Sequence, residues 1–211
     1  TPLYSSAASD VYKRQVMKMN PLYVVALKEE VNTEFIDKFD VLITGVGKVN
    51  AAYKLTRHLA ENNNRYNLVI NFGTAGSNYL DPGTFVDCTR FYEKDMDCKP
   101  LGFEPFQTPF EKEIIIDFSS ESIFNPFNKN LSCYTGDKFV TEDLEYDGIF
   151  DMEAYALAKV CKNFQLPFIS FKYISDGANS DSAGDWTENI SSGYKIFYEK
   201  VVNEILNYDS N

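Results

Sequence analysis

Three carboxylates in this chain lie where they could move protons or hold hydroxyl groups. The first, Asp176, follows a run of alternating apolar and aromatic residues at 168–174 that is typical of a sheet strand. In open α/β sheets, ligands bind outside the carboxyl ends of the strands, so Asp176 is a candidate proton donor in such a crevice. The sequence Ser175-Asp176-Gly177 is also typical of a simple turn, and that alternative stays open.

The second and third carboxylates are Glu153 and Glu30. The spacing of apolar residues predicts a helix over 151–164, and Glu153 is the polar exception on its inward face. The other positions of that face are Ala156, Leu157, Val160, Cys161 and Phe164. The helix dipole favours a negative charge in the first turn, and a buried acid needs a partner or a ligand hydroxyl. Glu30 follows the first predicted strand. Either acid could instead be a solvated residue at a helix start.

The elements that would position these acids alternate in type along the chain. Strands are predicted at 22–27, 40–44, 67–72, 84–91, 113–118, 149–150 and 168–174, and helices at 49–61, 151–164 and 187–207. This order favours a three-layer α/β/α sandwich with a twisted, mixed and mostly parallel central sheet. We expect a single domain over 17–211. Residues 1–16, rich in Ser, Ala and Tyr, are predicted to be a non-native or disordered extension.

Two glycine-containing segments follow neighbouring strands. Gly45-Val46-Gly47 is not a dinucleotide fingerprint, because Asn50 stands where a third small residue is required. The segment Gly73-Thr74-Ala75-Gly76 follows the next strand. We predict two loops that form a crevice floor, with backbone N–H groups directed at ligand oxygens. A tight turn from strand to helix is the alternative for the first loop.

Composition excludes several classes of protein. The 211 residues carry a formal charge of −11, whereas a nucleic-acid-binding face is basic. No apolar run approaches the ~18 residues of a membrane span. Four scattered cysteines and one histidine form no zinc pattern, and they are Cys88, Cys98, Cys133, Cys161 and His58. We therefore expect reduced thiols in a cytoplasmic protein that needs no metal or other cofactor and binds neither nucleic acid nor membrane.

Six short motifs follow one another along the chain in an order that is typical of one protein superfamily. They are Ala26-Leu27-Lys28-Glu29-Glu30, Gly45-Val46-Gly47-Lys48-Val49-Asn50-Ala51-Ala52, Asn71-Phe72-Gly73-Thr74-Ala75-Gly76, Thr135-Gly136-Asp137-Lys138-Phe139-Val140, Asp151-Met152-Glu153-Ala154 and Ile174-Ser175-Asp176-Gly177-Ala178. Together they resemble the purine nucleoside phosphorylase/nucleosidase superfamily, and within it the 5′-methylthioadenosine/S-adenosylhomocysteine nucleosidases most closely. The resemblance extends from Pro21 to the C-terminus.

The resemblance implies a role for each acid. Asp176 would protonate N7 of adenine, Glu30 would position and deprotonate the attacking water, and Glu153 would hold the ribose hydroxyls. This division agrees with the two-carboxylate logic of glycoside hydrolysis, in which one acid protonates the leaving group and another handles water.

The resemblance also implies a set of binding residues and a homodimer. Phe139 would stack on the base, the main chain of Val140 would contact its edge, and Trp186 would cover the site unless it is a core tryptophan. The full set of binding residues expected beside Glu153 is Met152, Phe139, Val140, Thr74, Ala75, Gly76, Val46, Ser175 and Trp186.

The chain departs from the family pattern in two ways. Only fourteen residues separate Glu30 from Gly45, where the family usually has an additional β-hairpin. We therefore expect a smaller sheet and a changed wall around the 5′ substituent. Leu27 and Lys172 replace the Met and Arg usual in the nearest relatives, which is expected to leave the chemistry untouched.

The sequence therefore predicts a phosphate-independent nucleosidase that releases adenine from a 5′-modified adenosine. A phosphorylase is the first alternative, but phosphorylases of the superfamily place arginines around the phosphate. Here the stretch 69–72 has no cation, and the only arginines outside the extension are Arg57, Arg65 and Arg90. A catalytically idle nucleoside-binding module is the second alternative, and the three intact acids argue against it.

Overall fold

The structure, a computed structural model, describes residues 18–62, 64–121, 124–142 and 144–208. The predicted extension at 1–16 lies outside these ranges. Eight strands are described: β1 Pro21–Val25, β2 Val41–Ile43, β3 Leu68–Ser77, β4 Phe85–Glu93, β5 Ile116–Asp117, β6 Leu131–Thr135, β7 Ile149–Asp151 and β8 Phe168–Asp176. The helices are α1 Thr33–Lys38, α2 Lys48–Glu61, α3 Ala154–Phe164, α4 Ser182–Asn189, α5 Tyr194–Phe197 and α6 Asn203–Tyr208, with a π-helical segment Tyr198–Val202 between the last two.

The strands form one mixed sheet that closes partly on itself. Parallel pairing joins β1 to β2 and β3, β3 to β8, β4 to β6, and β6 to β7. Antiparallel pairing joins β3 to β7, β4 to β5 and β4 to β8. Because β8 pairs with both β3 and β4, the strands β3, β7, β6, β4 and β8 form a closed five-stranded barrel. The predicted mixed, mostly parallel sheet is confirmed, whereas this closure was not foreseen.

The sheet has a separate apolar core on each face. Strand β1 is buried on both sides, and its alternate residues enter different cores because successive side chains point to opposite faces. Leu22 and Val24 pack in the core that contains α2 and α3. Tyr23 and Val25 pack in the core that contains α1 and the C-terminal helices. Helices therefore cover the sheet from two sides, as the alternation of strands and helices predicted.

Several predicted boundaries are corrected by the structure. The segment 73–76 is not a loop but the end of β3, and it pairs with β8 through a register shift at Ala75 and Gly76. Helix α3 begins at Ala154 rather than at 151, because Asp151 belongs to β7 and its Oδ2 accepts a hydrogen bond from the Ala154 N–H. Strand β6 was missed, since its short sequence mixes polar and apolar residues without a clean alternation.

The predicted C-terminal helix over 187–207 is interrupted. Helix α4 ends at Asn189, and α5 begins only at Tyr194. Between them Gly193 lies directly against the side chain of Tyr173 in β8, where a Cβ atom would overlap the ring. Among the described residues, no helix is long and apolar enough to cross a membrane.

Candidate active site

A cavity of about 370 Å³ opens at the carboxyl ends of β3, β7 and β8. Its wall brings together all twelve residues predicted for the site. They are Glu30, Val46, Thr74, Ala75, Gly76, Phe139, Val140, Met152, Glu153, Ser175, Asp176 and Trp186. The wall also includes Ala26, Leu27, Lys138, Phe150, Asp151, Ala183 and Thr187, which the sequence did not single out as site residues. A cavity of this size lies in the range of small-molecule sites.

Glu30 is a buried carboxylate held by main-chain donors. It ends a 3₁₀ turn directly after β1, and its Oε2 accepts hydrogen bonds from the N–H groups of Ala26 (2.9 Å) and Leu27 (3.0 Å). Its Oε1 accepts from the Thr74 N–H at 3.2 Å. Burial raises the pKa of Glu30, although these hydrogen bonds and the charge of Lys172 oppose the shift. The result is a fixed carboxylate that is more basic than an exposed one.

The glycines of β3 make room for the acids rather than forming a turn. A Cβ atom on Gly73 would lie 3.0 Å from Glu30 Oε1 and 3.6 Å from Lys172 Nζ. A Cβ atom on Gly76 would lie 2.5 Å from Asp176 Oδ1. These positions therefore need glycine because carboxylates approach the strand closely, which is a different reason from the loop that the sequence suggested.

Asp176 ends β8 on the cavity wall and is almost completely buried. Its Oδ2 accepts a hydrogen bond from the Ser175 hydroxyl at 2.8 Å, and its Oδ1 accepts from the Ala178 N–H at 3.0 Å. The second contact is the turn-type bond that the sequence Ser-Asp-Gly favours. The turn and the cavity-lining position thus coexist, and the turn fixes the orientation of the carboxylate.

Glu153 occupies the N-cap of α3, one residue before the first helical turn. Its Oε1 accepts a hydrogen bond from the Gly47 N–H at 2.8 Å, at the start of α2. Burial and the neighbouring Asp151 charge raise the pKa of Glu153 to about 8, and Lys172 opposes this shift. A carboxyl group with such a pKa can both donate and accept hydrogen bonds near neutral pH.

Asp151 and Lys172 form a buried ion pair beneath these acids. Lys172 Nζ donates to Asp151 Oδ2 at 2.8 Å, and each side chain is about 1% exposed. Asp151 Oδ1 also accepts from the Thr135 hydroxyl at 2.6 Å. Burial alone would raise the pKa of Asp151, but the Lys172 charge and the hydrogen bonds lower it. Burial lowers the pKa of Lys172, but the surrounding carboxylates outweigh burial and raise it.

The sequence analysis did not predict that Asp151 and Lys172 form an ion pair next to the other acids of the cavity. Lys172 stands inside a strand of apolar and aromatic residues, and every residue of that strand is buried. A lysine at such a position needs a buried acid, and Asp151 in the motif Asp151-Met152-Glu153 was available as its partner. Lys172, which replaces the Arg usual in the nearest relatives and was expected to leave the chemistry untouched, therefore lies among the acids of the cavity.

Aromatic side chains close the other part of the cavity. Trp186 on α4 donates from Nε1 to the Thr74 hydroxyl at 3.0 Å, so it is tied to the end of β3. Its ring meets Phe139 edge to face, with the centroids 6.5 Å apart. Both residues line the cavity and both are partly exposed. This arrangement presents flat apolar surfaces to a ligand next to the carboxylate of Asp176.

A family model places the chain in a known class. The model of the phosphorylase superfamily matches residues 40–204, so the chain belongs to the phosphorylase superfamily. Within this class the chain is similar to a 5′-methylthioadenosine/S-adenosylhomocysteine nucleosidase of Buchnera aphidicola subsp. Acyrthosiphon pisum. The two are 28% identical, and the match covers 83% of this chain and 89% of that protein.

Solved structures share the fold. A 5′-methylthioadenosine/S-adenosylhomocysteine nucleosidase from Colwellia psychrerythraea 34H, in complex with adenine, has a TM-score of 0.74 at 19% identity and covers 90% of this chain and 96% of its own. The native futalosine hydrolase of Helicobacter pylori strain 26695 has a TM-score of 0.75 at 18% identity, with 90% and 99% covered.

Proposed function

We propose that this protein hydrolyses the N-glycosidic bond of adenine nucleosides with a modified 5′ position and releases adenine. 5′-Methylthioadenosine, S-adenosylhomocysteine or a related 5′-modified adenosine would be the substrate. The observation that carries the proposal is the composition of the cavity wall. It combines the carboxylates of Glu30, Glu153 and Asp176 with the rings of Phe139 and Trp186.

The reaction needs stabilisation of a cationic sugar and of the departing base. Cleavage of the glycosidic bond passes through an oxocarbenium-like ribosyl cation, for which an electron-rich wall is favourable. Adenine leaves poorly as an anion, so Asp176 would donate a proton to its N7. The hydrogen bonds from Ser175 and Ala178 hold that carboxyl group in place.

Glu30 would act on the water. Both of its oxygens are fixed by main-chain N–H groups, and burial raises its pKa. A base of raised pKa takes a proton from water more readily than an ordinary carboxylate. Lys172 and Asp151 lie beneath, and the charge of Lys172 limits how far the pKa of Glu30 rises.

Glu153 and Met152 would hold the ribose. With a pKa of about 8, Glu153 can donate to one ribose hydroxyl oxygen while its other oxygen accepts. Phe139 would stack on the base, Trp186 would cover the site, and the Val140 main chain would pair with the amino edge of the base. Val46, Thr74, Ala75 and Gly76 complete the predicted binding wall beside Ser175.

A phosphorylase is disfavoured by the cations around the cavity. Each arginine in the described part of the chain is paired with a carboxylate and lies outside the cavity wall: Arg57 with Glu61, Arg65 with Asp40, and Arg90 with Asp117. The lysine on the wall, Lys138, is exposed and pairs with Glu142, and Lys172 is already paired with Asp151. A phosphate dianion would instead meet several carboxylates.

We further propose that the 5′ end of the site is less restrictive than the base end, and that the protein is a homodimer. The stretch between Glu30 and Gly45 holds only α1 and β2, and the proposal takes it to be shorter than the corresponding segment of the family. Val46 lines the cavity and is 40% exposed, so this part of the wall is open to solvent.

The experiment that tests the proposal is a search for base release. The protein is incubated with adenosine and several 5′-thioadenosines, and free adenine is followed by chromatography, with Asp176→Asn as the matched control. Adenine release by wild type, and loss of release in the variant, is the expected result. Nucleoside binding without release of base from any substrate would contradict the proposal and favour a binding module.

A further inference from the structure

Lys48 lies at the centre of a charge cluster outside the cavity wall. It is the first residue of α2, and its Nζ lies 3.2 Å from Glu93 Oε1, 3.3 Å from Asp95 Oδ2 and 3.9 Å from Asp137 Oδ2. Its side chain is only 15% exposed. Glu93 and Asp95 raise the pKa of Lys48 although partial burial opposes them, so the ammonium stays charged.

The same cluster fixes the start of the segment 136–140, which carries Phe139 and Val140. Asp137 donates its N–H to Asp95 Oδ2 at 2.5 Å, and its own Oδ1 accepts the Lys48 N–H at 2.8 Å. Gly136 lies so close to Asp95 that a Cβ atom would overlap its carboxylate. Contacts with the charged side chains of Asp95 and Lys48 therefore join Asp137 to the start of α2, and the Gly136 N–H donates to the Asp151 carbonyl at 3.0 Å.

Removing the ammonium would leave the three carboxylates facing one another. Lys94 lies 3.3 Å from Asp95 Oδ1 and would compensate that residue only. Like charges at such distances repel. The part of the cluster that can move away is 137–140, because it has no regular secondary structure after Gly136, whose N–H is bonded to the Asp151 carbonyl. Lys48 does not itself line the cavity, so any effect on ligand binding must pass through its neighbours. The segment 136–140 carries Phe139 and Val140 to the cavity wall, whereas Gly47, at the start of α2, is bonded to Glu153.

We propose that Lys48 is a positioning residue for base recognition: it neutralises Glu93, Asp95 and Asp137 and thereby holds Phe139 and Val140 at the cavity. The expected effect on ligand binding rests on the proposed function. The expected change in the position of the segment 136–140 does not, because it can be measured in the ligand-free protein.

The main variant is Lys48→Met, which keeps the length of the side chain and removes the charge. We expect the dissociation constant for adenine and the KM for a nucleoside to rise about tenfold, while kcat changes by less than about twofold. Lys48→Arg should retain binding close to wild type.

The double variant Lys48→Met/Glu93→Gln should recover much of the loss, because one of the repelling charges is gone. Higher salt should likewise recover part of the loss in Lys48→Met.

Trp186 is the only tryptophan of the chain, so its fluorescence reports on the contact with Phe139. In the ligand-free protein, acrylamide should quench Trp186 more strongly in Lys48→Met than in wild type. If wild type neither binds adenine nor releases it, the proposed function fails, and the quenching comparison still decides the positioning role.

Asp137→Ala provides a second route in case Lys48→Met does not fold. It removes the carboxylate that joins the segment to Lys48, keeps the main-chain N–H bond to Asp95, and leaves Lys48 paired with Glu93 and Asp95. It should raise KM and quenching in the same direction as Lys48→Met. Wild-type binding and quenching in Lys48→Met or Asp137→Ala would overturn the proposal. So would a loss of kcat at unchanged KM, or a defect that neither Lys48→Arg nor the Glu93→Gln second change relieves.

Discussion

The two sides of the cavity are built in different ways. The proposed sugar side, defined by Glu30, Asp151, Glu153 and Lys172, consists of buried ionisable groups. They lie just after β1, at the end of β7, at the N-cap of α3 and within β8, respectively. The base side, defined by Phe139, Val140 and Trp186, consists of partly exposed residues on a segment without regular structure and on the short helix α4. Asp176 lies at the junction, at the end of β8.

The difference is one of rigidity. Main-chain N–H groups of neighbouring elements hold Glu30 and Glu153, which fixes the carboxylates that are proposed to act on the water and the ribose. The base side depends more on partly exposed side chains, as in the hydrogen bond from Trp186 to Thr74 and the charge cluster around Lys48. Substitutions on the sugar side should therefore affect kcat and stability, whereas those on the base side should affect binding.

The largest expected effect comes from the acids that would exchange protons. Asp176→Asn and Glu30→Gln should each lower kcat by about 10²–10⁴-fold, the range typical of losing a general acid or base. In Asp176→Asn the amide oxygen can still accept from the Ala178 N–H. In Glu30→Gln the amide oxygen can keep the bonds from Ala26 and Leu27 but not the one from Thr74, so circular dichroism must show that both variants fold.

Glu29→Gln is the matched control for Glu30→Gln, because Glu29 is adjacent in sequence and half exposed. Near-wild-type turnover in Asp176→Asn or Glu30→Gln would refute the role given to that residue.

The next largest effect concerns the buried ion pair. Lys172→Met leaves Asp151 charged and buried without its partner, so it should lower the free energy of unfolding by about 3–5 kcal/mol in urea titrations. On the base side, Lys138→Met removes an exposed ion pair with Glu142 and should cost less than about 1 kcal/mol. Equal losses in the two variants would contradict the contrast between the two sides.

A pH-dependent effect sharpens the contrast further. The pKa of Glu153 is about 8 in the folded protein and near 4.5 when the side chain is exposed. Protonated Glu153 therefore stabilises the fold below about pH 4.5, and this contribution is lost as the pH rises through about 8. Glu153→Gln mimics the neutral form, so its stability relative to wild type should increase between pH 5 and pH 8, by up to a few kcal/mol. A difference that does not change with pH would refute the raised pKa.

The smallest expected effect is selectivity for the base. A 6-oxo purine reverses the hydrogen-bond polarity at position 6 and leaves a buried group unpaired, at a cost of about 1–3 kcal/mol in kcat/KM. Adenosine should therefore exceed inosine, and two 5′-thioadenosines of different length should differ less than these two do. Equal rates for adenosine and inosine, with steep differences between the thioadenosines, would reverse the proposed division between the ends of the site.

The sequence predicted which residues line the cavity, and some of them are locally marked. Asp176 follows a clear strand, and Glu153 is a polar exception on an apolar face. The Gly45 and Gly47 turn has positive φ at both glycines, as a tight connection from strand to helix requires. Local patterns of this kind survive in the fold because each one reflects a position at a strand or helix end.

The features that the sequence could not supply depend on contacts between distant segments. Closure of the barrel requires β8 to pair with both β3 and β4, which no local pattern encodes. The partners of Lys172 and Lys48 come from other strands and loops, so their roles emerge only from the folded chain. The glycines at 73 and 76 were read as loop residues because their real reason, the closeness of carboxylates, is tertiary.

The central claim is that water, rather than phosphate, attacks the sugar in a cavity rich in carboxylates. The most direct test measures the rate of adenine release from a 5′-thioadenosine in phosphate-free buffer and in buffer with phosphate, with the mass of the sugar product determined in both. Equal rates and a free, unphosphorylated sugar in both buffers are the predicted result. Release that depends on phosphate, with a sugar 1-phosphate as product, would contradict the account.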